Sequence, residues 1–317
     1  MRGMRTEWDL HTVDALRRTN NPSKRLTNAL AGRGYSSSGL LKERRLKLYS
    51  QRDFINEICA EENIELNGYS MDYVLKLTKC GTTRNIFGAF WDINTAAADR
   101  IACDKTACYE LLHSNGIPAI KHILFNNPLT RLMWAKPEGS WAVALKHFET
   151  FGREIVLKPN QGTRGNDVFF CDNIPKLEAA AHTIFANYSA AAISPFVRIQ
   201  TEYRVFYLNG KCHLVYGKEA RETWQHNLAM GAKAVEFVVK TKNDKQLLNE
   251  LKNLASFAAE RIGINFATVD IVKTDENELL VLELNSGVQA RLLLEQHPHL
   301  RSKVKSIYRM AILGMFN

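Results

Sequence analysis

The chain is 317 residues long, 45% hydrophobic and 24% charged, with a formal net charge of +9. That length supports two or three domains with ample core, and no apolar run approaches the roughly 20 residues a membrane span needs. Six cysteines (Cys59, Cys80, Cys103, Cys108, Cys171, Cys212) are scattered without CxxC spacing, which argues against a disulfide frame or zinc site and for reduced thiols in a cytoplasm.

The first 50 residues carry 11 Lys/Arg against 4 Asp/Glu. Such a basic segment could attract nucleic acid, an acidic protein or an anionic substrate, or be a solvated arm. No nucleic-acid motif is present, so nucleic acid is not an expected partner. Asn20–Ser23 reads as a turn, Gly32–Gly39 as a glycine–serine loop, Leu40–Ala60 as a helix and Tyr73–Leu77 as a strand. Residues 1–90 are therefore expected to form a small domain of their own, a candidate substrate-binding domain.

Asn94 opens a helical pattern. Asp104 caps a second helix, which Gly116 and Pro118 end. Lys105, at its start, is either a solvated helical lysine or a cation held for an anion. A strand (Ile120–Phe125), a helix ending at Gly152, and the segment REIVLKPNQGTRGNDVFFC (Arg153–Cys171) follow. This last reads as strand, glycine loop, strand. Gly162 and Gly165 permit positive φ and close approach of backbone N–H groups to an anion, and Lys158 ends the first strand as a point charge for phosphate. The other reading is a hairpin with a flexible tip.

Ile174–Tyr188 is an alanine-rich helix. Ala191–Val197 is a strand whose Pro195 cannot donate to a ladder, which predicts an edge or crossover position. Asn209-Gly210 between apolar runs predicts a tight hairpin, and Asp244–Gly263 is an amphipathic helix. In the last hairpin, FATVDIVKTDENELLVLELN, Asp270 and Glu283 interrupt apolar strands. If Lys273 faces Leu280, Asp270 faces Glu283, and Asn285 shares Glu283's face. Three oxygen donors so placed suit Mg²⁺ or Mn²⁺ together with nucleotide phosphates. The competing reading is a pair of carboxylates salt-bridged to neighbouring arginines. Val288–Asn317 is expected to be mostly helical.

Four segments, DKTACYELLHSNGIP, IVLKPNQGTRGNDV, AISPFVRIQTEYRVFYLNGKCHLVYGKEA and FATVDIVKTDENELLVLELNSG, occur in an order that resembles the ATP-grasp superfamily over roughly Trp91–Gln296. Glutathione synthetase-like and glutamate-adding amino-acid ligases are the nearest look. The resemblance implies an α/β (α+β) ATP-grasp fold: two α+β subdomains, 91–190 and 191–317, clasp ATP beside the separate N-terminal domain. It implies that Lys105 and Lys158 hold phosphates, that Gly162 and Gly165 close over ATP, and that Ser194, Pro195, Phe196 and Val197 form the adenine hinge. Glu202 would take the ribose hydroxyls, and Asp270, Glu283 and Asn285 would hold Mg²⁺. Arg204 and Lys218 look like stabilisers of the triphosphate and acylphosphate, Asn227 a phosphate contact, and Arg291 a holder of a substrate carboxylate or a solvated arginine. Two departures stand out. Pro195 replaces a frequent acidic residue, and Ser286-Gly287-Val288 replaces a small residue followed by proline. The activity implied is ADP-forming carboxylate–amine ligation through an acylphosphate, with an amino-acid or peptide carboxylate and an amine as partners and an oligomer as an option. A kinase acting on a hydroxyl and a non-catalytic nucleotide-binding protein are the alternatives.

Overall fold

Capping chemistry opens the helices where the sequence places polar residues before apolar runs. In the computed structural model, which describes residues 50–128, 140–163, 165–220 and 224–317, Ser50 and Asp53 form a reciprocal capping box at the head of α1 (Gln51–Glu61). The turn and loop expected before residue 40 lie outside the described residues, as does the first part of the predicted 40–60 helix. Strands β1 (Glu65–Tyr69), β2 (Val74–Lys79), β3 (Thr82–Phe87) and β4 (Phe90–Trp91) form an antiparallel sheet in chain order. Thr95 then caps α2 (Ala96–Cys103), and Asp104 caps α3 (Lys105–Ser114) by accepting from Ala107 N–H at 3.0 Å.

The second sheet runs in the order β5 (Ile123–Asn126), β8 (Ala190–Pro195), β6 (Ile155–Pro159), β7 (Phe169–Cys171). Helices α4 (Trp141–Thr150) and α5 (Ile174–Phe185) share its core. Here β8 is internal, not at an edge. Pro195 is tolerated because it is the last residue of β8, paired with Ile155 but beyond the end of the β5 ladder, which stops at Ile193.

The third sheet has five strands in the order β11 (Lys233–Glu236), β10 (Lys211–Glu219), β9 (Ile199–Leu208), β12 (Phe266–Thr274), β13 (Leu279–Asn285). Asn209 and Gly210 join β9 to β10 with φ of +44° and +79°, the two left-handed residues of a type I′ turn. Pleat alternation divides this sheet's side chains between two cores. Val205, Tyr207, Val215, Ala267 and Val269 pack with α2, α3 and α6 (Lys242–Ile262). Phe206, Leu208, Tyr216 and Phe266 face the other way and pack with α1, β2, β3, α7 (Arg291–Gln296) and α8 (Arg301–Gly314). The Trp91 and Tyr308 rings stack there at 5.8 Å between centroids. The described residues lie in one compact unit, Tyr49–Asn317, and its cores cut across the chain-order divisions expected at 90 and 190. Among the described residues no helix is long and apolar enough to cross a membrane.

Candidate active site

The alternation that turns Phe206, Tyr216 and Phe266 toward one core also turns Glu202, Arg204, Lys218 and Asp270 to that face, further along the same strands. Register then pairs them: Asp270 lies opposite Arg204 across β12–β9, and Lys218 opposite Glu202 across β10–β9. The Arg204 guanidinium donates from Nε and Nη2 to the two Asp270 oxygens at 2.7 and 2.6 Å, a bidentate pair. Lys218 Nζ reaches Asp270 Oδ2 at 3.2 Å and also pairs with Glu202. Asp270 is 1% exposed. Burial alone would raise its carboxyl, but Arg204 and Lys218 overcome that and hold it down at about 2. Burial pushes Glu202 up, with Lys218 opposing.

Asp270 also lies opposite Glu283 on β13, though not by the regular register. Lys273 pairs with Leu279 rather than Leu280, and a bulge between Asp270 and Ile271 restores the Asp270–Glu283 pairing by leaving Leu282 as the extra residue. Asn285 Nδ2 donates to Glu283 Oε1 at 3.2 Å and approaches Asp270 Oδ2 at 3.5 Å. Hard oxygen donors from adjacent strands fit a cation such as Mg²⁺ or Mn²⁺. Glu283 and Asn285 are the more open of the three. Both Asp270 oxygens are engaged by cationic side chains, so the salt-bridge reading of that carboxylate is realised here.

The β5–β8–β6–β7 sheet brings Lys158, and helix α3 brings Lys105. Lys158 is the last residue but one of β6 and is 7% exposed; burial, and Lys105 beside it, pull its amine down to about 8. Lys105 opens α3, donates from Nζ to Gly162 O at 2.8 Å and stands 3.8 Å from Glu283 Oε2. It therefore bridges the glycine loop and the carboxylate strand. Asn160 fixes the start of α3, its carbonyl accepting from Lys105 N–H and its Oδ1 from Thr106 N–H, both at 3.1 Å. Gly165 has φ of +73°, and a Cβ there would stand 2.5 Å from Asn227 Nδ2. The left-handed backbone favours glycine, and a Cβ would have to displace the Asn227 amide. Gly165→Ala is expected to weaken ATP binding about tenfold and to lower stability by roughly 1–2 kcal/mol, the cost of a left-handed alanine. Gly81→Ala is the control, because Gly81 has φ of +79° with nothing within 4 Å. Titration of ATP against intrinsic fluorescence measures both, and equal affinities would remove the loop from the site.

At the hinge, Phe196 N–H is taken by Glu154 O at 2.9 Å, and Pro195 has no N–H. Val197 is the remaining hinge donor after Ser194, which lies within β8. Beyond Phe196, several residues here gave no signal in the sequence. Phe170, Phe196 and Trp224 form an aromatic wall at the hinge, with centroids 4.6 Å apart for Phe170–Phe196 and 5.6 Å for Phe196–Trp224. His122 is buried near Lys105 and Lys158. Burial, then those two charges, keep it well below the usual range and hence neutral. Arg291 stands apart, half exposed at the head of α7 and paired with Glu295 at 3.3 Å.

Residues 102–297 match the family described as the RimK-like ATP-grasp domain. The fold is similar to D-alanine–D-alanine ligase from Bacillus anthracis complexed with ATP, at 17% identity and a TM-score of 0.53, covering 70% of this chain and 69% of that one. It is also similar to D-alanine–D-alanine ligase from Coxiella burnetii, at 13% identity and a TM-score of 0.50, covering 68% and 59%. No curated protein matches the chain significantly in sequence.

Proposed function

Because this chain belongs to the RimK-like ATP-grasp family, we propose that it is an ATP-dependent carboxylate–amine ligase. A substrate carboxylate oxygen attacks the γ-phosphorus of ATP and ADP leaves. An amine then attacks the acylphosphate carbon, giving an amide, inorganic phosphate and a proton. The observation that carries this reading is the position of Lys105, in contact with both the glycine loop and Glu283. That places a cation where triphosphate from one sheet would meet carboxylates from the other.

Lys105 and Lys158 take the phosphates, and Gly162, Gly165 and Asn227 close over them. Ser194–Val197 supply the hinge, with Val197 N–H facing adenine and the aromatic wall beside the base. Glu202 takes the ribose. A divalent cation held by Asp270, Glu283 and Asn285 would neutralise charge on the phosphates. Arg204 and Lys218, oriented by Asp270, stabilise the transferring group and the tetrahedral oxyanion. All six cysteines are unpaired, which supports a reducing compartment such as the cytoplasm.

Product analysis is the test. Turnover with ATP, Mg²⁺ and a mixture of amino acids and peptides is expected to yield ADP, phosphate and a product heavier by one condensation. AMP and pyrophosphate would refute the acylphosphate route. ADP with a phosphorylated product and no amide would identify a kinase.

A further inference from the structure

A cavity of about 260 Å³ lies between α1, the β1–β2 turn and the segment that follows β13. Its walls include Gln51 and Arg52 of α1, Asp72, and Gln289 and Arg291, four and six positions beyond Asn285. The two sides are held closely: a Cβ on Gly287 would stand 2.9 Å from that of Ala89.

Two nitrogens of this cavity, Gln51 Nε2 and Arg52 Nη1, are buried and find no hydrogen-bond partner among the described residues. A buried donor left without an acceptor is destabilising, so each is a position that a ligand oxygen would satisfy. Arg52 is otherwise oriented, since Nη2 donates to Asp72 Oδ1 at 3.3 Å. That contact leaves the other arm of the fork facing an acceptor the described residues do not supply. Arg291 commits Nη1 to Glu295 and retains further donors. An acceptor with two in-plane oxygens satisfies a guanidinium arm and a carboxamide together. The volume corresponds to roughly eight or nine waters of liquid, room for an amino acid with a large side chain.

We propose that this cavity binds the free carboxylate of an amino-acid substrate, with Arg52 and Gln51 donating to it and Arg291 closing the opposite wall. The inference rests on the ligase reading and gives it a substrate class. The carboxylate held here is not the one activated; it anchors a substrate whose amine or second carboxyl reaches the site beyond Asn285. On this view α1 and its sheet, which precede the 102–297 domain, supply substrate selection.

Saturation-transfer NMR with the twenty free L-amino acids, and with the corresponding primary amides, tests it on the full-length protein. At least one amino acid is expected to receive saturation, its amide none. Arg52→Gln and Gln51→Leu are each expected to raise that amino acid's Kd tenfold or more. Gln51→Leu removes an unpartnered donor and so leaves stability intact. ATP-induced thermal stabilisation is measured on the same samples. Retained in both variants, it shows that they are folded and that the nucleotide site is unaffected. Amides binding as well as acids, no amino acid binding while ATP still stabilises, or unchanged affinity in both variants would overturn the subsite and leave the ligase reading standing. Absence of ATP stabilisation in the wild type would remove the ligase reading and the substrate role with it.

Discussion

Asp270→Asn is expected to lower stability by about 3–5 kcal/mol, read as a fall in Tm of roughly ten degrees, and to abolish turnover. The carboxylate neutralises the Arg204 guanidinium and shares Lys218 with Glu202. Removing its charge leaves two buried cations facing one carboxylate. The pH dependence carries a sign. The folded carboxyl titrates at about 2, below its ordinary 3.8. Its contribution is therefore fully present above pH 3.8 and is lost as the pH falls through about 2. Wild type loses stability across that window more steeply than the variant. The double variant Asp270→Leu/Arg204→Met replaces the pair by apolar groups and is expected to recover most of the lost stability while remaining inactive. Thermal melts of the three proteins decide the matter. A single variant that melts with wild type would show that the ion pair contributes nothing.

Lys158→Met is expected to behave in the opposite way. Turnover falls by roughly a hundred- to a thousandfold, the usual loss when a positioned charge is removed from a transition state. The nucleotide-free protein nevertheless melts as high as wild type or higher near neutral pH. Burial, with Lys105 adding repulsion, lowers this amine from 10.5 to about 8, so its charge opposes folding. Between pH 8 and 10.5 the unfolded chain binds the extra proton, so wild-type stability from this group rises with pH across that range, by about 3 kcal/mol. The methionine variant lacks that rise. Paired melts from pH 7 to 10, with ATP hydrolysis at each pH, would show it. A variant that melts well below wild type at pH 7 would make Lys158 a structural cation.

The two variants mark what can be read from a sequence and what cannot. The strand that carries Lys158 and the loop that carries Gly162 and Gly165 were legible because such patterns are local, and so was the Asn209-Gly210 turn. The Asp270–Arg204 pair was not. Its partners lie 66 residues apart, and their alignment is set by the register of β9 on β12, which no local pattern specifies. The Asp270–Glu283 pairing was expected from a regular ladder, yet it depends on the extra residue Leu282. The aromatic wall draws Phe170, Phe196 and Trp224 from three separate segments. His122 looked like any histidine in a β-prone run. Pro195 was read as placing its strand at an edge or a crossover because it has no N–H to donate, but at the final rung of β8 there is no β5 carbonyl opposite to require one.

The stacking of Trp91 on Tyr308 has a consequence during synthesis. Tyr308 lies 217 residues after Trp91. At about 5–20 residues per second a ribosome needs roughly 10–45 s to bridge that interval. Phe54, Ile58, Leu77 and Trp91 leave the exit tunnel long before α8, which covers them, has been made. The first layer to be translated is thus among the last to be completed. Until then its apolar face is available to any other unfinished chain on the same messenger, and the protein's yield in a cell depends on how quickly that face is sealed.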